Sequence, residues 1–195
     1  MKNMQWILFA IAITLVVACG GGGGKSSGPD LDDAKTDFSS GNYADALTTY
    51  LSLVDKEGAS AQVGAGWCYN RLGTYSSAIT QFAAAAGDSN VDGYAGWGLA
   101  LWATDASAST AQSVIDKANF VIRKNPAFTL SLDSRIDVDH IVYIKACSHL
   151  LLQQYQSCVD AIKMLPNQSG YSVNVSDPNI HSLLLAKLES LGSAS

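Results

Sequence analysis

An all-α fold, a stack of antiparallel helix pairs closed by a C-terminal helix, is predicted by three features of the 195-residue sequence. The heptamer Gly41-Asn42-Tyr43-Ala44-Asp45-Ala46-Leu47 returns 32 residues later as Gly73-Thr74-Tyr75-Ser76-Ser77-Ala78-Ile79, a period typical of stacked helix pairs. Each copy is followed by an aromatic, Tyr50 or Phe82, four residues after Ala46 or Ala78. Strand-like alternation is confined to Val173-Asn174-Val175, too short to weigh.

The repeat has a physical logic. Glycine ends one helix because it accepts the backbone of a tight turn at little cost. The Tyr anchors the start of the next helix, and the small Ala marks a close helix crossing. The aromatic one turn further on shares that face and fills the wider part of the gap. On this pattern the helix pairs are 34–40 with 43–56, 61–72 with 76–86, 92–103 with 109–124, and 139–153 with 155–165. Residues 126–138 read as a long connection that packs on the surface through Phe128, Leu130, Leu132 and Ile136. Residues 167–176 form a polar loop. Asp177 then reads as an N-cap with Pro178 at the first helical position. Ile180, Leu183, Leu184, Leu188 and Leu191 follow at helical spacing, so 178–191 is the expected cap of the stack.

These residues resemble the tetratricopeptide repeat (TPR) family. In the second copy Gly66 and Tyr69 stand where the family's first helix carries Gly and an aromatic, Leu72-Gly73 closes that helix, and Ala78 and Phe82 match the second-helix Ala-x3-Phe. In the first copy Ala34 and Asp37 replace the Gly and the aromatic. Gly96, Leu99, Ala111, Ile115 and Asn125-Pro126 make a third copy, with about three extra residues near Ser107. Ala146, Tyr155, Cys158, Ile162 and Pro166 make a degenerate fourth. The resemblance implies a right-handed α-solenoid of three to four TPR-like pairs, a binding scaffold rather than an enzyme.

The N-terminus carries a second message. Lys2 precedes an apolar run, Trp6 to Ala18, whose 13 residues are too short to span a bilayer but suit a signal peptide. Val16-Val17-Ala18-Cys19 resembles the bacterial lipoprotein box, which implies acylation of Cys19. Gly20 to Gly24 and the following Lys25-Ser26-Ser27-Gly28 have the composition of a flexible tether. The expected organisation is signal peptide 1–18, acylated Cys and tether 19–29, repeats 30–166, and loop with capping helix 167–195. Lipidation means anchored rather than spanning. Gly20 is not the Asp that retains many lipoproteins at the inner membrane, so the expected location is the outer membrane, facing the periplasm.

Cleavage before Cys19 would leave 177 residues and move the net charge from −5 to −6. An acidic chain without a basic cluster is a poor nucleic-acid binder. Its adjacent basic pair, Arg123-Lys124, suits the end of a helix dipole. Cys68, Cys147 and Cys158 read as small residues in helix seams, with a Cys147–Cys158 bridge as the alternative. His140 and His149, nine residues apart, fall on opposite helix faces and do not suggest a metal site. Gly64-x-Gly66 and Gly96-x-Gly98 lie inside helices rather than after a strand, so they do not predict a dinucleotide site. Asp133, Asp137 and Asp139 read as capping or solvent-facing carboxylates. No cofactor and no catalytic constellation are expected.

Candidate binding residues come from the family alignment. Trp67 and Trp97 each follow the first-helix glycine, where TPR arrays face their inner groove. Asn70 and Arg71 lie one turn on, with Tyr94 and Leu101 from the third repeat and Tyr143 from the fourth. Trp and Arg are frequent hot-spot residues. The competing reading is that the indoles fill helix seams. Lys35 and Trp67 stand where carboxylate-clamp TPRs need Asn, which argues against chaperone-tail recognition. The expectation is a lipid-anchored scaffold binding a protein or peptide in the envelope, in outer-membrane assembly or secretion. The alternative is a glycan-binding partner of a nutrient importer.

Overall fold

The computed structural model describes residues 28–193, which form ten α-helices and a two-stranded hairpin. The helices are α1 (Leu31–Ser39), α2 (Tyr43–Ser52), α3 (Val54–Glu57), α4 (Ala59–Arg71), α5 (Tyr75–Ala85), α6 (Val91–Thr104), α7 (Ala108–Lys124), α8 (Val138–Leu151), α9 (Tyr155–Lys163) and α10 (Ile180–Gly192). The strands are β1 (Thr129–Leu130) and β2 (Asp133–Asp137). Pairing follows the repeat. α1 packs on α2, α4 on α5, α6 on α7 and α8 on α9, and each pair leans on the next through α2–α4, α5–α6 and α7–α8. The first helices also touch in series, α1–α4–α6–α8, which makes one continuous inner row. α10 covers α8 and α9. The architecture is the predicted α-solenoid with its terminal cap.

The repeated glycines work as the sequence implied. Gly41 and Gly73 have φ of +83° and +73°. At each turn the residue after the glycine donates back five residues: Asn42 N–H to Asp37 O at 2.9 Å and Thr74 N–H to Tyr69 O at 3.0 Å. Gly41 N–H and Gly73 N–H close the inner bonds to Phe38 O and Asn70 O, completing a Schellman motif. The fourth pair repeats this geometry with another residue. Gln154 N–H reaches His149 O at 2.9 Å, and Gln153, with φ of +57°, takes the glycine's place. A Cβ in this region is strained. Gln153→Gly is therefore expected to raise stability by about 0.5–1 kcal/mol, the relief of strain less the extra chain entropy of glycine. A denaturant midpoint that stays put or falls would contradict this. The third pair turns differently, through the extended Asp105 and Ser107, where Ser107 Oγ donates to Asp105 Oδ2 at 2.6 Å.

Burial follows the aligned positions. Ala46, Ala78, Ala111 and Cys158 are all fully buried, so the fourth repeat uses Cys where the others use Ala. Tyr50 and Phe82 do more than fill a gap. A Cβ on Gly64 would lie 2.3 Å from the Tyr50 ring, one on Gly66 2.6 Å from the Phe82 ring, and one on Gly96 2.3 Å from that same ring. Phe82 is thus held between two glycines of successive first helices, and its ring sets their spacing.

Three details depart from expectation. The second helix breaks at Leu53 into α2 and the short α3, and Gly58, with φ of +52°, then opens α4. The cap begins at Ile180 rather than Pro178, because Asp177 Oδ1 accepts from Asn179 N–H at 2.7 Å in a turn before the helix. The connection 126–138 is not irregular. It forms the β1–β2 hairpin, which pairs Thr129 with Asp137 and Leu130 with Asp133 across a register shift. Phe128 and Leu130 are buried and root it in the core.

Candidate functional site

The inner row places the candidate residues but does not leave all of them free. The Trp67 side chain, from α4, is 2% exposed. Its indole packs edge-on against Phe82, with ring centroids 5.8 Å apart, and donates from Nε1 to Asp92 O at the start of α6, at 3.1 Å. Asn70 is buried as well and donates from Nδ2 to Gly96 O at 3.3 Å. Trp67 and Asn70 therefore tie α4 to α6. The groove-facing reading of these two is corrected to the seam-filling one. Gly93, where a Cβ would stand 3.1 Å from Val63 of α4, lets the start of α6 lie close to α4.

Arg71 is spoken for differently. Its Nη2 donates to Asp133 Oδ2 on β2, while its Nε is buried without a partner. Asp133 is held at the same time by Arg135, whose Nε reaches Oδ1 and whose Nη2 reaches Oδ2, both at 2.9 Å. Burial acts to raise the pKa of the Asp133 carboxyl, but the hydrogen bonds from Arg135 and the charges of Arg71 and Arg135 outweigh it. They hold the group below the usual carboxylate value. Ser131, at the hairpin tip, donates from Oγ to Asp92 Oδ2 on α6. Of the three acids that read as caps in the sequence, Asp137 does cap α8, accepting from Asp139 N–H at 3.0 Å. Asp133 instead joins the hairpin to α4.

The third repeat keeps a partly exposed aromatic cluster. Tyr94, Trp97 and Leu101 share one face of α6 and are each half-buried. Tyr94 stacks on Phe120 of α7 with centroids 3.8 Å apart, and Tyr94 and Trp97 centroids lie 6.1 Å apart. Lys117 places its ammonium 4.0 Å from the Trp97 ring centre, an arrangement with cation–π character. Arg123 and Lys124 flank Phe120 at the end of α7. Sequence reasoning missed Phe120 and Lys117. Their three-residue spacing on a helix was visible, but nothing in the repeat alignment pointed to α7. Tyr143 is half-buried on α8, and its hydroxyl donates to Leu188 O at 3.2 Å, so it tethers the capping helix.

Three cysteines and His149 lie in the interior. Cys68, Cys147 and Cys158 are buried free thiols. Burial pushes the pKa of Cys68 and Cys158 up to about 12, and that of Cys147 higher still, so none is a ready nucleophile. His149 is buried beside Gln154, with Nδ1 2.6 Å from Oε1. Burial lowers its pKa, offset in part by the Gln154 hydrogen bond and assisted by the charge of Lys145. The unfolded chain therefore takes up this proton more readily. The His149 contribution to stability is full above the ordinary histidine value of about 6.5 and is lost as pH falls toward the lower folded value. His149→Gln is expected to flatten the decline in thermal midpoint between about pH 6.5 and 5, relative to the unmodified chain. An identical decline in both proteins would rule out His149 as its source. Cys19 and the lipobox lie outside the described residues. Among those described, no helix is long and apolar enough to cross a membrane.

The stacked pairs, inner row and cap define an all-α solenoid of the TPR-like type. No protein-family model matches the chain, and neither does any curated protein. Among solved structures it is similar to the "MamA RS-1 ArsTM double mutant", a TPR-like protein. The TM-score is 0.58, over 84% of this chain and 92% of that one, at 12% sequence identity. At that identity the likeness is one of fold.

Proposed function

We propose that this chain is a lipid-anchored TPR-like scaffold that binds a protein partner in the bacterial cell envelope. The lipobox ending at Cys19 and the glycine tether support the anchor, and TPR-like stacks are typically binding scaffolds rather than catalysts. The observation that carries the binding surface is the half-exposed Tyr94–Trp97–Phe120 cluster with Lys117 over it. Large aromatics such as Tyr and Trp are enriched at protein interfaces and among their hot spots. Of the indoles aligned in the repeats, Trp97 is the one the fold leaves partly open.

Affinity capture from detergent-solubilised membranes tests this. Trp97→Ala is expected to weaken capture of a defined membrane-protein partner by about tenfold or more, as a hot-spot truncation does, with helix content nearly intact. Cys19→Ala should release the chain from the membrane fraction. Unaltered capture by Trp97→Ala would remove the cluster from the interface. Retention on polysaccharide, lost in the same variant, would favour the glycan-binding alternative over the assembly or secretion role.

A further inference from the structure

We propose that the Thr129–Asp137 hairpin is a displaceable strap over α4 and α6, and that an acidic segment of the partner opens it by taking Arg71 from Asp133. The proposal rests on the scaffold reading above and adds the chemistry of the ligand. The hairpin crosses from the third pair to earlier ones: Ser131 bonds to Asp92 on α6, Asp133 pairs with Arg71 on α4, and Arg135 lies near the Tyr43 hydroxyl at the start of α2. Its root is apolar and fixed by Phe128 and Leu130, whereas its tip is held by these polar contacts. Two short strands with a register shift have little stability of their own. The tip can therefore lift while the root stays in place.

Arg71 shows what would lift it. A guanidinium binds a carboxylate best side-on, through two parallel N–H donors. Arg71 makes one such bond, and its buried Nε has no partner. Asp133 has no acceptor position left for the second, because Oδ1 accepts from the Arg135 backbone N–H and Nε, and Oδ2 from Arg135 Nη2 and Arg71 Nη2. A partner carboxylate able to engage Nε and Nη2 together would satisfy Arg71 more completely than the hairpin does. Asp133 is then an internal stand-in for that carboxylate, and Arg135 keeps it neutralised once it is released.

Hydrogen exchange on the full chain, with hexaglutamate as the probe, tests the strap. Saturating probe should speed exchange of the 129–137 amides about tenfold, equivalent to about 1.4 kcal/mol, and leave α5 and α7 protected. Asp133→Asn should bind the probe about tenfold more tightly, and Arg71→Gln should lose binding. Hairpin exchange unchanged by bound probe, or equal probe affinity in Arg71→Gln and the unmodified chain, would overturn the proposal. The unmodified-chain measurement stands even if a variant fails to fold. A membrane partner captured without hairpin opening would sink the strap and spare the scaffold reading. Opening by the probe with no envelope partner captured would do the reverse.

Discussion

Trp67→Ala is expected to destabilise the chain by about 3–5 kcal/mol, the cost typical of truncating a buried tryptophan. The indole is almost wholly buried, packs edge-on against Phe82, and spends its N–H on Asp92 O across the α4–α6 seam. Alanine would leave a cavity at the junction of the second and third pairs and would remove the hydrogen bond that ties α4 to the start of α6. For a domain of this size the thermal midpoint should fall by roughly 6–20 °C. Trp67→Phe separates the two contributions. It keeps most of the apolar volume and loses the hydrogen bond, so it should cost about 1–2 kcal/mol. A midpoint for Trp67→Ala within a degree or two of the unmodified chain would mean that Trp67 is not core. The contrast with Trp97→Ala, expected to act on capture rather than folding, distinguishes the core indole from the half-exposed one.

Gly96→Ala is the second large effect, and here even the sign is informative. Helix propensity alone favours alanine over a mid-helix glycine by about 0.5–1 kcal/mol. Packing opposes it. The added methyl would stand 2.3 Å from Phe82 Cζ and less than 3 Å from both neighbouring ring atoms. The ring has little room to retreat, because Gly66 and the Trp67 indole also pack against it. Overpacking of this kind costs about 1–3 kcal/mol and can exceed that, so a net loss of roughly 2 kcal/mol is expected. Adding Phe82→Leu should recover part of the loss, since a smaller side chain yields space. Coupling above about 0.5 kcal/mol in the double-mutant cycle would identify the ring as the obstacle, and additivity would exclude it.

The helix pairs were legible because their signals are local. A turn that needs φ > 0 selects glycine, and a close crossing selects alanine, so Gly41, Gly73, Ala46 and Ala78 announce themselves at a fixed interval. Gln153 shows where this reading thins: the fourth turn has the same geometry without the glycine, because the surrounding hydrogen bonds hold a strained residue in place. The hairpin was not legible. Thr129-Leu130 is too short to show alternation, and Asp133 to Asp137 look like a polar approach to a helix. Their strand pairing depends on Phe128 and Leu130 being buried, a tertiary condition.

The binding face divided in the same way. Alignment of the repeats paired Trp67 with Trp97, whereas packing sets Gly96 on Phe82 as Gly64 sits on Tyr50, so the two indoles stand at different repeat positions and differ in exposure. That difference depends on what lies opposite each one. Trp67 meets Phe82 and the start of α6, whereas Trp97 meets the Lys117 side chain. The amino-acid sequence by itself determined the period, the pairing of helices and the cap, since each follows from backbone conformation and side-chain volume within one or two turns. Tertiary structure alone decided which aromatics are core and where residues 129–137 lie, and it placed Asp133 on Arg71. Those contacts join residues 25 to 62 positions apart, and no local preference encodes them.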